Sequence, residues 1–219
     1  MLQLSVLVAL NLAFIALYMR ARLRDDKRQV RIYQPTAVIT SWLIAALSLL
    51  RPEPDVPLTL VVLAGMGIAI LGDFLNIDME DMRVVLRGLV IAVVAYLTYA
   101  IGLTALDGFH VQDLSVGAAL LAVYALVMRT IWARVERPMR VPILIYALVL
   151  PFTFSRAVST FFGDRFSTLQ SVFVSLGTLS LFVGDIEFAI HTFRRRLPVM
   201  LGPILYAGGQ LLIALAAWF

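Results

Sequence analysis

The chain has 219 residues, of which 61% are hydrophobic and 15% charged, whereas a soluble domain carries roughly 45–50% apolar and about 25% charged residues. That balance excludes a soluble enzyme and describes a single integral membrane domain over residues 1–219, whose net charge of +4 comes with no motif for nucleic acid. Cysteine is absent, which removes disulfides, thiolate zinc sites and cysteine nucleophiles, and the one lysine, Lys27, lies in a charged stretch, which removes a Schiff-base centre inside a bundle.

Eight apolar blocks, each about as long as a membrane-spanning helix requires, are separated by short charged or Gly/Pro-marked breaks. Lipid cannot satisfy exposed backbone groups, and the blocks are too long and evenly apolar for barrel strands, so the expectation is an all-α polytopic bundle of eight transmembrane helices. The first block, Leu2 to Met19, has no basic segment before it and no small-residue cleavage site after it, and reads as a retained helix. A charged loop with Arg20, Arg22, Arg24, Lys27, Arg28 and Arg31 follows. The second block, Pro35 to Leu50, is short; the third runs from Pro57 to Ile77 and the fourth from Val84 to Leu106. Val111 to Trp132 forms the fifth, Val141 to Phe162 the sixth, with Pro151 as a candidate break, Leu169 to His191 the seventh and Val199 to Trp218 the eighth.

Threading eight helices through a bilayer gathers 15 of the 18 basic residues on one side and leaves Arg51, Arg156 and Arg165 on the other. Basic residues near helix ends are held on the cytoplasmic face, so both termini are expected on the non-cytoplasmic side. The basic loops also give some affinity for anionic lipid.

The third and seventh helices share a pattern, Gly65 to Gly72-Asp73 and Gly177 to Gly184-Asp185, with the aspartates 112 residues apart, about half the chain. Two four-helix halves in parallel orientation would produce this spacing, and so would packing glycines that recur by chance. Most acids fall in predicted loops or at helix ends, but Asp73, Asp185 and Glu187 lie within apolar helices. A carboxylate there costs about 2.5–3.5 kcal/mol on insertion scales, so it is expected to face the bundle interior and serve a site. Both aspartates fall in the cytoplasmic half of the bilayer and can face one cavity if their helices are neighbours. Glu187, two positions from Asp185, points elsewhere on its helix and is expected to pair locally with His191. The glycines before each aspartate permit close helix packing, leave room for a lipid chain, or both. At similar depth Tyr96, Thr98 and Tyr99 in the fourth helix and Tyr206 and Gln210 in the eighth either orient a substrate or hold helices together.

Two histidines cannot build a three-histidine zinc centre, and nothing in the spacing of the carboxylates requires Mg²⁺ or Ca²⁺, so no metal or cofactor is expected. Ser/His/Asp hydrolysis has no support either, since no Gly-x-Ser-x-Gly occurs.

From about Gln34 to the C-terminus the sequence resembles the YhhN family of multispanning membrane proteins, which includes lysoplasmalogenases. The resemblance rests on Leu71-Gly72-Asp73-Phe74-Leu75, the stretch Gly88 to Tyr99, Gly184-Asp185 with Ala189, and Leu205-Tyr206 leading to Gln210-Leu211-Leu212. It implies eight helices, a lysophospholipid substrate whose vinyl ether bond is hydrolysed to a fatty aldehyde and a glycerophospho-alcohol, and Asp73 and Asp185 as the catalytic pair. Gln34 replaces the usual lysine before Pro35, and Tyr96 stands where the family usually has a histidine.

Vinyl ether hydrolysis asks for one proton donor and one anion, and two carboxyl groups in a poorly solvated pocket can divide those tasks. Asp73 and Asp185 are the expected pair, with Tyr96, Tyr99, Tyr206 and Gln210 as substrate-binding candidates; the sequence leaves open which aspartate is the acid. Two other classes compete: a transporter or proton-coupled carrier using the same aspartates, and a catalytically silent lipid-binding protein.

Overall fold

The computed structural model describes residues 2–75, 82–194 and 201–219. Among them are eight α-helices and no strand: α1 Leu2–Leu23, α2 Lys27–Ser48, α3 Val56–Leu75, α4 Met82–Asp107, α5 Gln112–Ile131, α6 Arg140–Ser159, α7 Thr168–Arg194 and α8 Gly202–Ala216. Two short 3₁₀ turns, Trp132–Arg134 and Arg137–Met139, join α5 to α6.

Six of the eight, α1 and α3 to α7, are long and apolar enough to cross a membrane. The chain is therefore an all-helical membrane protein. The expectation of eight spans goes further than this: α8 has 15 residues, and α2 spends its first turns on Lys27, Arg28 and Arg31.

The largest difference from the sequence reading is at α2, which begins at Lys27 and not at Pro35. Asp25 adopts a left-handed conformation (φ 52°) and turns the chain, and Asp26 accepts a hydrogen bond from the Gln29 backbone N–H (3.0 Å), starting the helix inside the charged stretch. Pro35 sits buried in the helix interior, where it removes one backbone donor without ending the helix. The α1 helix likewise runs past Met19 to Leu23, so Arg20 and Arg22 are helical. Pro151 does not break α6, which is continuous through it. The expected ends at Ile77 and Val199 lie outside the described residues.

Helix packing forms a closed circuit in which α2, α3, α4, α6, α7 and α8 each pack on the next and α8 returns to α2. Outside it, α1 lies against α2 and α8, and α5 against α6 and α7. The α3 and α7 helices face each other across the circuit without packing together, so the condition that they be neighbours is not met; what lies between them is open space.

Small residues draw α7 and α8 together. A Cβ on Gly177 would lie 2.8 Å from the Gly209 carbonyl oxygen, and one on Gly209 would lie 2.7 Å from that of Gly177. Large apolar side chains such as Leu60, Leu71, Leu126 and Leu148 stay exposed on the outer surface, as a lipid-facing surface requires.

The end carrying the loops before α3, α5 and α7 is pinned by ions. Arg165 donates twice to Asp55 (2.7 and 3.0 Å), which also accepts from the Leu58 backbone N–H and from Gln170. Burial pushes the Asp55 carboxyl up, but these hydrogen bonds and the Arg165 charge outweigh it and hold it below the usual carboxylate range. Arg156, fully buried in α6, pairs with Asp113, donates to the Gly108 carbonyl and lies 4.5 Å from the centre of the Phe109 ring. The aspartates of α3 and α7 lie toward the opposite end.

Candidate active site

Asp73 stands two residues before the described end of α3, where its neighbours come from α2 and α8. The Gln34 side-chain amide donates to Oδ1 (2.7 Å), and the Tyr206 hydroxyl lies 3.0 Å from both carboxylate oxygens. Such donors are what a carboxyl group needs once water is excluded. In the sequence Gln34 stands out only as a departure from the pattern of the family it resembles; its early place in the lengthened α2 is what brings it to the aspartate.

Asp185 occupies the corresponding place on α7. The Tyr96 hydroxyl of α4 donates to its Oδ2 at 2.5 Å, and Tyr146 of α6 lies beside it, its ring centre 5.9 Å from that of Tyr96. Each aspartate is therefore served by a tyrosine from the other half of the chain: Tyr206 for Asp73, Tyr96 for Asp185. A third polar contact joins the two helices that carry these tyrosines, α4 and α8, where the buried Tyr99 hydroxyl donates to Gln210 Oε1 at 3.0 Å. Gly65 makes room for this ring, since a Cβ there would lie 2.4 Å from it.

One cavity of about 210 Å³ touches both aspartates expected to be catalytic and the four substrate-binding candidates, Tyr96, Tyr99, Tyr206 and Gln210. Its remaining wall is mostly apolar, with Val84, Val85, Leu89 and Ala92 of α4 opposite Leu181 and Phe188 of α7. Gly72 and Gly184 line it too. Gly184 leaves cavity space and also lets α8 approach, because a Cβ there would lie 3.1 Å from that of Leu205.

Three expectations change. Thr98 is not in the cavity wall and donates to the Val94 carbonyl of its own helix. Glu187 does line the cavity with Asp185, near Gly202 and Pro203 at the start of α8. It is not paired with His191: Oε1 accepts from the Leu201 backbone N–H (2.6 Å), while Glu187 Oε2 and His191 Nδ1 have no hydrogen-bond partner among the described residues. The free backbone donors at the start of α8 win this carboxylate.

Tyr18, Arg22, Gln34 and Tyr146 complete the polar wall and were not anticipated there. Spacing carried a signal for one of them: Tyr146 follows Gln34 by 112 residues, the offset that separates the aspartates. Tyr18 and Arg22 are four apart on α1, and the guanidinium lies 5.8 Å from the centre of the Tyr18 ring. Among the described residues no three His, Asp or Glu side chains gather closely enough to hold a metal ion.

With this geometry in view, the chain was compared with known proteins. The sequence pattern of the YhhN family matches residues 33–217, most of the chain, and the protein belongs to that family. No curated protein and no solved structure matches it.

Proposed function

We propose that the protein is a lysoplasmalogenase-like membrane hydrolase that cleaves the vinyl ether bond of a lysophospholipid, releasing a fatty aldehyde and a glycerophospho-alcohol. The observation that carries the reading is the single apolar-walled cavity touching both Asp73 and Asp185. Family membership is consistent with a hydrolase.

In this reading Asp185 is the acid and Asp73 the anion. Gln34 meets Asp73 with an amide N–H, which can only donate and so favours the carboxylate form. The neighbours of Asp185 are phenols, which donate or accept and tolerate a protonated partner equally. Asp185 gives its proton to the alkene carbon remote from the ether oxygen, and the oxygen lone pair closes an oxocarbenium ion that the Asp73 carboxylate stabilises. Water adds to that ion and returns a proton to Asp185. The resulting hemiacetal collapses, its hydroxyl proton passing to the glycerol oxygen, so one water is consumed for each aldehyde and alcohol released.

Purified protein in detergent, given lysoplasmalogen, is expected to release aldehyde, and Asp73→Asn and Asp185→Asn each to abolish release in protein that remains folded. Activity retained in both variants refutes the assignment. A carrier releases no aldehyde and moves a solute or protons across a vesicle membrane, and a silent lipid-binding protein binds lipid without turnover.

The same proposal includes eight crossings, two four-helix halves in parallel orientation and both termini on the non-cytoplasmic side. Its support is the 15-to-three partition of basic residues and the matching offsets of Asp73 with Asp185 and Gln34 with Tyr146. At about 1.5 Å per residue α2 is roughly 33 Å long, enough to span. Protease digestion of terminal tags in sealed vesicles of known orientation checks the sidedness; a tag cleaved from the cytoplasmic face refutes it.

A further inference from the structure

Arg22 differs from the arginines that pin the opposite end of the bundle. Arg156 is paired with Asp113 and Arg165 with Asp55. Arg22 lines the cavity, and no carboxylate lies within ion-pair distance of it among the described residues. Its Nε is buried and has no hydrogen-bond partner among the described residues. Asp73, which lines the same cavity, already accepts from Gln34 and Tyr206. Tyr18, buried one helical turn earlier, holds the guanidinium over its ring. Among the described residues no other lysine or arginine lines this cavity. A guanidinium in an apolar-walled chamber that no carboxylate contacts directly gains from an anion that does, and it suits the planar, two-oxygen face of a phosphate.

Its position fits such an anion. Arg22 is the penultimate residue of α1, at the end of the bundle where Asp73 also lies, with Gln34 and Asp73 sharing its part of the wall. In a lysoplasmalogen only the glycerol unit separates the phosphate from the vinyl ether, so a phosphate held at the mouth of the cavity leaves the ether facing the aspartates. The hydrocarbon chain then follows the apolar side chains of α4.

We propose that Arg22 is the phosphate receptor of this cavity and makes the protein select phospholipid over phosphate-free lipid with the same chain. The inference rests on the proposed lysophospholipid reading, and the experiment separates the two. Full-length protein in detergent is assayed with alkenyl-glycerophosphoethanolamine and with alkenylglycerol of equal chain length. Its binding of the saturated alkyl analogues of both, which cannot be hydrolysed by this route, is measured with radiolabelled lipid.

The wild type is expected to prefer the phosphate-bearing lipid in both measurements. Arg22→Gln is expected to raise KM and Kd for that lipid about tenfold or more and to collapse the preference, and Arg22→Lys to keep part of it. If Arg22 serves only to support Asp73, kcat falls alike on both substrates, the preference survives and the inference is overturned. Without turnover in the wild type, an Arg22-dependent preference in binding upholds the phosphate receptor while the hydrolase reading fails. A wild type indifferent to phosphate overturns the inference whether or not Arg22→Gln can be purified as folded protein.

Discussion

Tyr206 offers the sharpest test of the division of labour between the aspartates. Its hydroxyl lies 3.0 Å from both oxygens of Asp73, and Tyr206→Phe removes that donor while keeping the ring that fills the space between α8 and α3. Hydrogen bonds to charged groups contribute about 1.5–3 kcal/mol, which corresponds to roughly a 10- to 150-fold lower kcat if Asp73 must be an anion as the cation develops. Gln34 continues to donate to Oδ1, so the variant should fold and keep its thermal midpoint within a few degrees. Tyr96→Phe removes the donor to Asp185. If Asp185 acts in its protonated form this loss is that of a neutral hydrogen bond, about 0.5–1.5 kcal/mol, or roughly 2- to 13-fold. Tyr99→Phe breaks only the contact with Gln210, away from both carboxyl groups, and should cost less than either. The assay is aldehyde release under saturating lysoplasmalogen, with thermal unfolding in the same detergent. An order of effect in which Tyr96→Phe exceeds Tyr206→Phe refutes the role assignment. A Tyr206→Phe variant within twofold of wild type refutes the claim that Asp73 depends on this donor.

Gly177→Ala places a Cβ 2.6 Å from an Ile213 side-chain carbon and 2.8 Å from the Gly209 carbonyl oxygen, against backbone that cannot rotate away. It should destabilise the fold by about 1–3 kcal/mol, while Gly208→Ala, which meets nothing within 4 Å, should unfold like wild type; equal midpoints for the two variants contradict this. Gly65→Ala drives a Cβ into the Tyr99 ring and is expected to release Gln210 from its donor, read as lower stability that Gly65→Ala combined with Tyr99→Leu partly restores. Asp55 is held below its ordinary range by burial-opposed bonds from Arg165, so its stabilisation is complete at neutral pH and is lost as pH falls through its folded value. Arg165→Gln should therefore cost up to about 1 kcal/mol at neutral pH for a pair this exposed, with the gap to wild type closing in acid; a gap that widens in acid contradicts the sign.

The two aspartates were legible because a carboxyl group inside an apolar helix is costly, so its presence demands an explanation that helical periodicity and composition can supply. Their companions were legible only in part. Tyr206, Tyr96, Tyr99 and Gln210 could be placed by depth, which follows from counting residues along a helix. Which way each faces depends on how helices are rotated against one another, and the sequence does not carry that angle. Hence Thr98, one residue from Tyr99, looked as promising as its neighbour and turned out to bond its own helix. Arg22 and Gln34 were hidden by a different effect. Charge and a proline marked residues 20 to 35 as a loop, but the Asp26 cap and the left-handed Asp25 make that stretch two helix ends, which carry both side chains to the cavity.

In the proposed mechanism the same packing gives two similar carboxyl groups different work. Asp73 and Asp185 follow equivalent glycines on helices that face each other across the circuit, and each meets a tyrosine from the opposite half, so the frame around them is nearly alike. The difference lies in the position that precedes each by 39 residues, Gln34 for one and Tyr146 for the other. The amide turns a donor toward Asp73, whereas a phenol beside Asp185 can donate or accept, which is what the proposed acid role requires. Exchanging these two side chains should therefore exchange the preferred protonation states before it disturbs the fold. Infrared spectroscopy of the carboxyl C=O stretch, with each aspartate replaced in turn by asparagine, reads this directly. The wild type should show a protonated carboxyl that vanishes with Asp185→Asn and persists with Asp73→Asn, and Gln34→Tyr with Tyr146→Gln should reverse the pattern. The same band lost with Asp73→Asn in the unexchanged protein would place the acid on α3 and undo the assignment.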